Sequence, residues 1–182
     1  GDVFEELKTV EAFIDKTPPS IAGVRAPAPN GAGWNNTEVT VSFDCSDALS
    51  GVARCEPAAH TLVNDGVGQA VSGRATDVAG NTATATVTGI NIDRKPPTIR
   101  FVSRTQPNAA GWNNADVTLV WSCADGLSGA AAPDSRTVVS AEGANQSATG
   151  SCQDLAGNVA TDTQAGINID RKPPTIRFVS RT

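Results

Sequence analysis

Apolar and polar residues alternate with a period of two along much of the chain. In Val39–Cys45 every second residue is apolar, and Val117–Cys123 repeats the pattern. Such alternation predicts a strand with one face in a core and the other in water. Further strands are predicted, with equivalents later in the chain, at Ile21–Arg25, Thr61–Val63, Ala70–Thr76 and Thr82–Ile92. Helical periodicity with helix caps is absent between residues 15 and 169, so an all-β protein is expected.

The order of sequence motifs repeats once along the chain. The motif GWNN begins at Gly33 and again at Gly111, and the identical stretch GINIDRKPPTIRFVSRT begins at Gly89 and again at Gly166. Self-similarity at a fixed spacing is the signature of repeated modules. It predicts a strand or linker from a preceding module at residues 1–14, a first repeat at 15–92, a second at 93–169, and the first strand of a third repeat at 170–182.

Composition and charge narrow the class of protein. Six or seven short strands in each small repeat predict an antiparallel β-sandwich, whose thin core would gain from a covalent staple. The net charge is −5, which argues against nucleic acid or an anionic membrane as a partner. No apolar run approaches the ~18 residues of a membrane span, so membrane insertion is not expected.

The ordered motifs of both repeats resemble those of bacterial immunoglobulin-like repeats of large secreted and cell-surface proteins. The order is D-x-x-PP-x-I, GWNN, C-x-D-x-L-SG, D-x-AGN and GINID, and it covers the chain from residue 15 onward. The resemblance implies two tandem immunoglobulin-like antiparallel β-sandwich domains in an extended array, as in a stalk or adhesin. It implies no catalytic residue.

Four cysteines can pair in three ways. Cys45 and Cys123 are equivalent positions at the ends of two core strands, whereas Cys55 and Cys152 have no cysteine at their equivalents. We therefore predict one disulfide in each repeat, Cys45–Cys55 and Cys123–Cys152. The alternative, a zinc site, lacks C-x-x-C spacing and has only His60 to add. Disulfides indicate a secreted or cell-surface protein.

Aspartates recur at three equivalent positions in each repeat. They open the repeat, follow the first core strand and open the D-x-AGN hairpin: Asp15, Asp47 and Asp77, then Asp93, Asp125 and Asp154. Calcium prefers oxygen ligands, which carboxylates at loop ends near a domain boundary supply. The alternative is that each aspartate caps its own turn. Calcium is the single cofactor that the sequence suggests.

Two tryptophans, Trp34 and Trp112, stand in the GWNN loops. If exposed, they would offer a stacking platform for a sugar ring. The alternative is an anchor that packs the loop over the end of the sandwich. Catalysis is not expected, because no nucleophile and base occur in a recognisable pattern and no glycine-rich phosphate loop is present.

These features predict spacer modules of an extracellular bacterial stalk or adhesin, with neighbouring modules of the array as partners. The first alternative is a subunit of a self-assembling filament, in which terminal strands join further copies of the chain. The donated residues would be Thr175, Ile176, Arg177, Phe178 and Val179, which repeat the sequence of residues 98–102. The second alternative is a ligand- or glycan-binding module that uses the loops at one end of the sandwich.

Overall fold

A computed structural model describes residues 11–180, which form two compact units. The first unit contains residues 11–28, Glu38–Asn64 and Gly68–Ile90. The second contains Pro29–Thr37, Asp65–Val67 and residues 91–180. Every helix or strand assigned in the described residues is a β-strand, which confirms the all-β prediction. None of residues 11–180 forms a helix long and apolar enough to cross a membrane.

The first unit is built from six strands in two antiparallel sheets. The strands are β1 (Ser20–Ala26), β2 (Val39–Ser46), β3 (Val52–Glu56), β4 (Ala59–Leu62), β5 (Gly66–Asp77) and β6 (Thr82–Ile92). One sheet has the order β1-β2-β4 and the other the order β3-β5-β6. Strand β2 is central in its sheet, pairing antiparallel with both β1 and β4.

The second unit repeats this order with five strands. They are β7 (Thr98–Arg104), β8 (Val117–Ala124), β9 (Asp134–Val139), β10 (Gly143–Gln153) and β11 (Val159–Ile169). One sheet has the order β7-β8-β9, and the other pairs β10 with β11. In both units the two sheets make an antiparallel sandwich.

The core follows the predicted alternation. Val39, Val41 and Phe43 of β2 are buried, and so are their equivalents on β8. In the second unit the β8 residues pack in one cluster with Ile167 and Ile169 from the end of β11. Burial of every second side chain explains why these strands could be found from sequence.

Strand β3 was not predicted. Its sequence, VARCE, has no period-two pattern, and its side chains are exposed or half-buried. Among the described residues it pairs with β5, at the edge of the sheet. The second unit has a single β-bridge, between Ala130 and Asp154, at the equivalent place. Residues 1–10 of the predicted N-terminal segment lie outside the described residues, and residues 11–14 are in no strand. The predicted domain boundaries stay predictions.

Candidate functional site

Each unit brings three aspartate carboxylates together from three separate segments of the chain. The groups are Asp15, Asp47 and Asp77 in the first unit, and Asp93, Asp125 and Asp154 in the second. In each group, ligand oxygens from all three residues lie within 4.8 Å of one another. We call them the first and second acidic clusters. They contain the six aspartates that the sequence suggested for calcium.

Strand pairing explains why these segments meet. The start of β7 lies beside the end of β8, because Thr98 pairs with Ala124. The end of β10 reaches the turn after β8 through the Ala130–Asp154 bridge. The segment that enters the unit, the β8 turn and the β10 hairpin therefore share one end of the sandwich. The first unit has the same arrangement, with Ser20 paired to Ser46.

The aspartate after the central strand organises a tight turn. Asp125 Oδ1 accepts hydrogen bonds from the backbone N–H groups of Leu127 and Gly129, both at 2.9 Å. Burial acts to raise the pKa of Asp125, but the N–H groups of Gly129 and Leu127 outweigh it and hold the pKa below the ordinary value. Asp47 makes the same turn with Gly51 N at 2.7 Å. Both glycines have positive φ, which the repeated SG motif permits.

An asparagine that the sequence analysis did not single out links two members of each cluster. Asn158 Nδ2 donates to Asp154 Oδ2 at 2.7 Å and to the Asp93 carbonyl at 2.9 Å. Asn81 bonds in the same way to Asp77, at 2.8 Å. The repetition of this asparagine in the AGN motif was the sequence feature that could have identified its role in linking the aspartates.

The aspartate that enters each unit bonds to the turn after the central strand. Asp93 is fully buried, and its Oδ2 accepts the N–H of Ser128 at 3.0 Å. Asp15 Oδ2 accepts the N–H of Ser50 at 3.1 Å. Hydrogen bonds from the Ser50 hydroxyl and the Thr17 N–H lower the pKa of Asp15 below its ordinary value. This contact joins the entering segment to the body of the unit.

Each cluster concentrates negative charge without a cationic side chain. Among the described residues, no salt bridge involves any of the six aspartates. Two full charges at such separations repel by about 3–4 kcal/mol at an effective dielectric constant of ~20. Backbone N–H groups offset part of this repulsion through their dipoles. The possible metal ligands in each cluster are all carboxylate oxygens, which suit a hard divalent cation such as Ca²⁺.

The two tryptophans lie outside the acidic clusters. Trp34 is half-buried, while Trp112 is 37% exposed and lines an open groove of about 370 Å³. Both loops have the same hydrogen bond. The backbone N–H of Trp34 donates to Asn30 Oδ1, and the backbone N–H of Trp112 donates to Asn108 Oδ1. The structure thus places Trp112 at the surface, and its predicted contact with a sugar stays a prediction.

The disulfides join the pairs that the sequence predicted. Cys45–Cys55 links β2 to β3, and Cys123–Cys152 links β8 to β10, so each connects the two sheets of its unit. Cys55 pairs across the β3–β5 ladder with Ala75, which is the equivalent of Cys152. The partner thiol has therefore moved to an adjacent strand, while the first cysteine kept its place.

The candidate strand-exchange segment is exposed and is in no strand. Ile176 is 99% exposed, Phe178 83% and Val179 81%, and Thr175 and Arg177 are exposed as well. In β7, the equivalents Ile99 and Phe101 pack partly buried against the core. The structure therefore shows a free copy of the β7 sequence without a partner strand among the described residues.

One buried polar contact occurs in the second unit only. Trp121 is fully buried, and its Nε1 donates to Asp162 Oδ2 at 2.7 Å. Gln164 Nε2 donates to the same oxygen at 2.8 Å. The Gln164 and Trp121 hydrogen bonds lower the pKa of Asp162 below its ordinary value. Sequence reasoning missed this contact because β8 and β11 lie far apart in the chain.

The fold and these sites define an all-β, disulfide-bonded protein with an acidic cluster in each of its two units. No protein-family model matches the sequence, and no curated protein does. Among solved structures, the chain is similar to the fibronectin(III)-like modules of CbhA from Clostridium thermocellum. That similarity has 11% identity and a TM-score of 0.43, and it covers 87% of this chain and 100% of the other.

Two bacterial adhesins are also similar in structure. One is a 1.5-MDa ice-binding adhesin, with 16% identity, a TM-score of 0.39, and coverage of 86% of this chain and 66% of the other. The second is a Ca²⁺-stabilized adhesin that helps an Antarctic bacterium reach out and bind ice. It has 12% identity and a TM-score of 0.36, and the match covers 85% of this chain and 49% of that chain. At TM-scores below 0.5, these likenesses carry no information on what this chain binds.

Proposed function

We propose that this chain consists of non-catalytic spacer modules of an extracellular stalk or adhesin. The observation that carries the proposal is the recurrence of one acidic cluster at the entrance to each unit. In both units an aspartate of the entering segment is bonded to the turn after the central strand. A repeated anchor of this kind holds a module to the chain that leads into it, which suits a protein that transmits tension.

We propose further that each acidic cluster binds one Ca²⁺. Three carboxylates supply most of the charge that a calcium site needs, and the cation would remove their mutual repulsion. Because Asp15 and Asp93 come from the entering segments, a bound ion would tie each segment to its own unit. The two disulfides support an extracellular place for the chain, where calcium is abundant and thiols are oxidised.

The test is a calcium titration of the chelator-treated protein by isothermal calorimetry. We expect two bound ions per chain, and one for the variant Asp154→Asn, which removes a charge from the second cluster alone. The matched control is Asp134→Asn, an exposed aspartate that pairs with Arg136 outside the clusters. This control should keep both ions. Absence of calcium binding in the wild type would contradict the calcium proposal and favour the alternative that each aspartate only caps its own turn.

Binding should also raise stability by mass action. A free calcium concentration a hundredfold above Kd stabilises each site by about 2.7 kcal/mol if the unfolded chain does not bind. Thermal unfolding with calcium and with chelator measures this difference. A melting temperature that ignores chelation in the wild type contradicts the calcium proposal.

The spacer function has a mechanical test. In single-molecule pulling, a spacer should give two separate unfolding events, and the unfolding force of each should fall after chelation. Reduction should lengthen both extensions, because 10 and 29 residues separate the paired cysteines. If the chain extends without force peaks in calcium, it is not a load-bearing spacer.

A further inference from the structure

The two units expose equivalent apolar residues to different degrees. Leu49 and Val78 of the first unit are 69% and 68% exposed. Leu127 and Leu155, at the equivalent positions of the second unit, are 39% and 42% exposed. These residues lie on the two turns that form the acidic clusters. Among residues 11–180, this end is therefore more covered in the second unit than in the first.

The cover is the segment Pro29–Thr37, which belongs to the second unit. Asn30 Nδ2 donates to the Leu155 carbonyl at 2.9 Å. The side-chain amide of Asn36 lies 3.7 Å from the place that a Cβ on Gly157 would occupy. We call this segment the Trp34 loop.

An equivalent loop, residues 107–115, carries Trp112, and we call it the Trp112 loop. Asn108 Oδ1 accepts the N–H of Trp112 at 3.0 Å, as Asn30 Oδ1 accepts the N–H of Trp34 at 3.1 Å. Among residues 11–180, however, Asn108 Nδ2 has no hydrogen-bond acceptor. The loop therefore has the conformation of the docked Trp34 loop, with its docking amide unused and Trp112 exposed.

The first unit has the complementary acceptor. The Val78 carbonyl, the equivalent of the Leu155 carbonyl, receives no hydrogen bond from any described residue. Around it, Phe13, Ile14, Leu49 and Val78 line an open groove of about 530 Å³. All four side chains are more than half exposed. We call this surface the hairpin face.

We propose that the hairpin face of one copy of this chain binds the Trp112 loop of a second copy. The contact repeats the one made by the Trp34 loop, with Asn108 Nδ2 donating to the Val78 carbonyl and the loop covering Leu49. Donor and acceptor surfaces are different parts of the chain, so the contact is heterologous and joins copies head to tail. The proposal goes beyond the spacer function and does not depend on it.

The exposed tail must move for this contact. The Asp170 N–H donates to the Asn113 carbonyl at 2.9 Å, so the tail leaves the donor beside the Trp112 loop. In the accepting copy, Asp15 already forms part of the first acidic cluster. Asp170 of the donating copy and the residues after it therefore cannot enter that cluster. Arg171 bonds to Asp116 and Glu142, so the first residues of the tail are held to the donor. Among the described residues, 173–180 are exposed, are in no strand and make no hydrogen bond or ion pair, so the tail can turn aside after Lys172. Truncation after Lys172, which keeps the Asp170 hydrogen bond to the Trp112 loop, should therefore preserve or strengthen association.

The experiment is sedimentation velocity of the full chain at concentrations from about 10 µM to 1 mM, a range that resolves weak dissociation constants. We expect wild-type association to weaken at least tenfold in Leu49→Asp and in Asn108→Ala. Val102→Asp is the matched control, since Val102 is 57% exposed at the bulge in the middle of β7 and lines neither groove. It should associate like wild type, and unchanged circular dichroism should verify the fold of each variant.

Mixing gives the sharpest result. Leu49→Asp lacks the acceptor and Asn108→Ala lacks the donor, so each should be monomeric alone, whereas their mixture should form dimers and nothing larger. A wild-type chain that stays monomeric at 1 mM would overturn the proposal, as would association that survives Leu49→Asp. Loss of association on truncation after Lys172 would also overturn it, in favour of strand donation by the tail.

Discussion

The centres of the two sandwiches are filled by different side chains. In the first, Phe43 fills the centre of the sandwich, and a Cβ on Gly23 would lie 2.6 Å from Val87 and 2.8 Å from the Phe43 ring. In the second, Trp121 takes the central place, and Phe101 at the equivalent of Gly23 packs edge-on against it at 6.0 Å. A large ring on one strand is thus matched by a change on its neighbour, which keeps the core filled.

The same substitution changes the polar contacts. The first unit has Ala85 and Val87 on β6, where the second has Asp162 and Gln164 on β11. Tryptophan, unlike the phenylalanine of the first unit, has a ring N–H that needs a partner when buried, and Asp162 provides it. The central ring, its cross-strand neighbour and its polar partner therefore differ together between the two repeats.

The largest effect is expected from truncating the two central rings. Trp121→Ala should destabilise the second unit by about 3–5 kcal/mol, because it removes buried contacts and leaves a cavity. Phe43→Ala should do the same to the first unit. Hydrogen exchange by mass spectrometry, read separately for peptides of each unit, measures both. Equal loss of protection in both units from either variant would contradict independent cores.

Removal of the disulfides should have the next largest effect. By loop entropy, loss of Cys123–Cys152 should cost about 3.5 kcal/mol and loss of Cys45–Cys55 about 2.7 kcal/mol, since their cysteines are 29 and 10 residues apart. Paired serine variants and denaturant unfolding give the two values. The reverse order would show that native-state packing outweighs loop length.

The two disulfides can also be compared by moving the partner cysteine of the first unit to the position that it has in the second. In the first unit, Cys55→Ala with Ala75→Cys should restore a bridge to Cys45, because residues 55 and 75 are register partners on adjacent strands. Peptide mapping without reductant identifies the bridge. Free thiols at residues 45 and 75 would show that the partner thiol cannot move in this way.

Glycines beneath the rings should give a smaller effect. A Cβ on Gly150 would clash with the Trp121 ring, and one on Gly73 would lie 2.6 Å from the Phe43 ring. Gly150→Ala and Gly73→Ala should each destabilise their unit by about 1–3 kcal/mol, since the rings must shift. Chemical denaturation is the measurement. Gly126→Ala is the control, because its Cβ would meet no atom within 4 Å.

The smallest effect is the share of the pH dependence that Asp162 contributes to the stability of the second unit. The lowered pKa of Asp162 means that its contribution to stability is present above the ordinary value of 3.8 and is lost as pH falls through the lower, folded value. Asp162→Asn should therefore reduce the acid sensitivity of the second unit between about pH 5 and pH 2. Unfolding curves across that range test it. An unchanged profile would show that other carboxylates dominate.

Sequence alone determined the all-β class, the repeat and the positions of the main strands. Alternation along Val39–Cys45 and Val117–Cys123 was sufficient, because burial of one strand face leaves a local record in the order of residues. Equivalence between repeats also selected the six aspartates and the cysteine pairs. Strand β3 was not predicted, because its side chains are all exposed or half-buried and its sequence therefore shows no alternation.

Tertiary structure decided what these residues do together. Asp93, Asp125 and Asp154 are distant in sequence, and only the strand pairing brings their carboxylates within 4.8 Å. The amide link through Asn158 and the bond between Trp121 and Asp162 also depend on contacts between strands far apart in the chain. Local sequence specifies the hydrogen-bonding capacity of each side chain, whereas its partner is determined by the packing of the sheets.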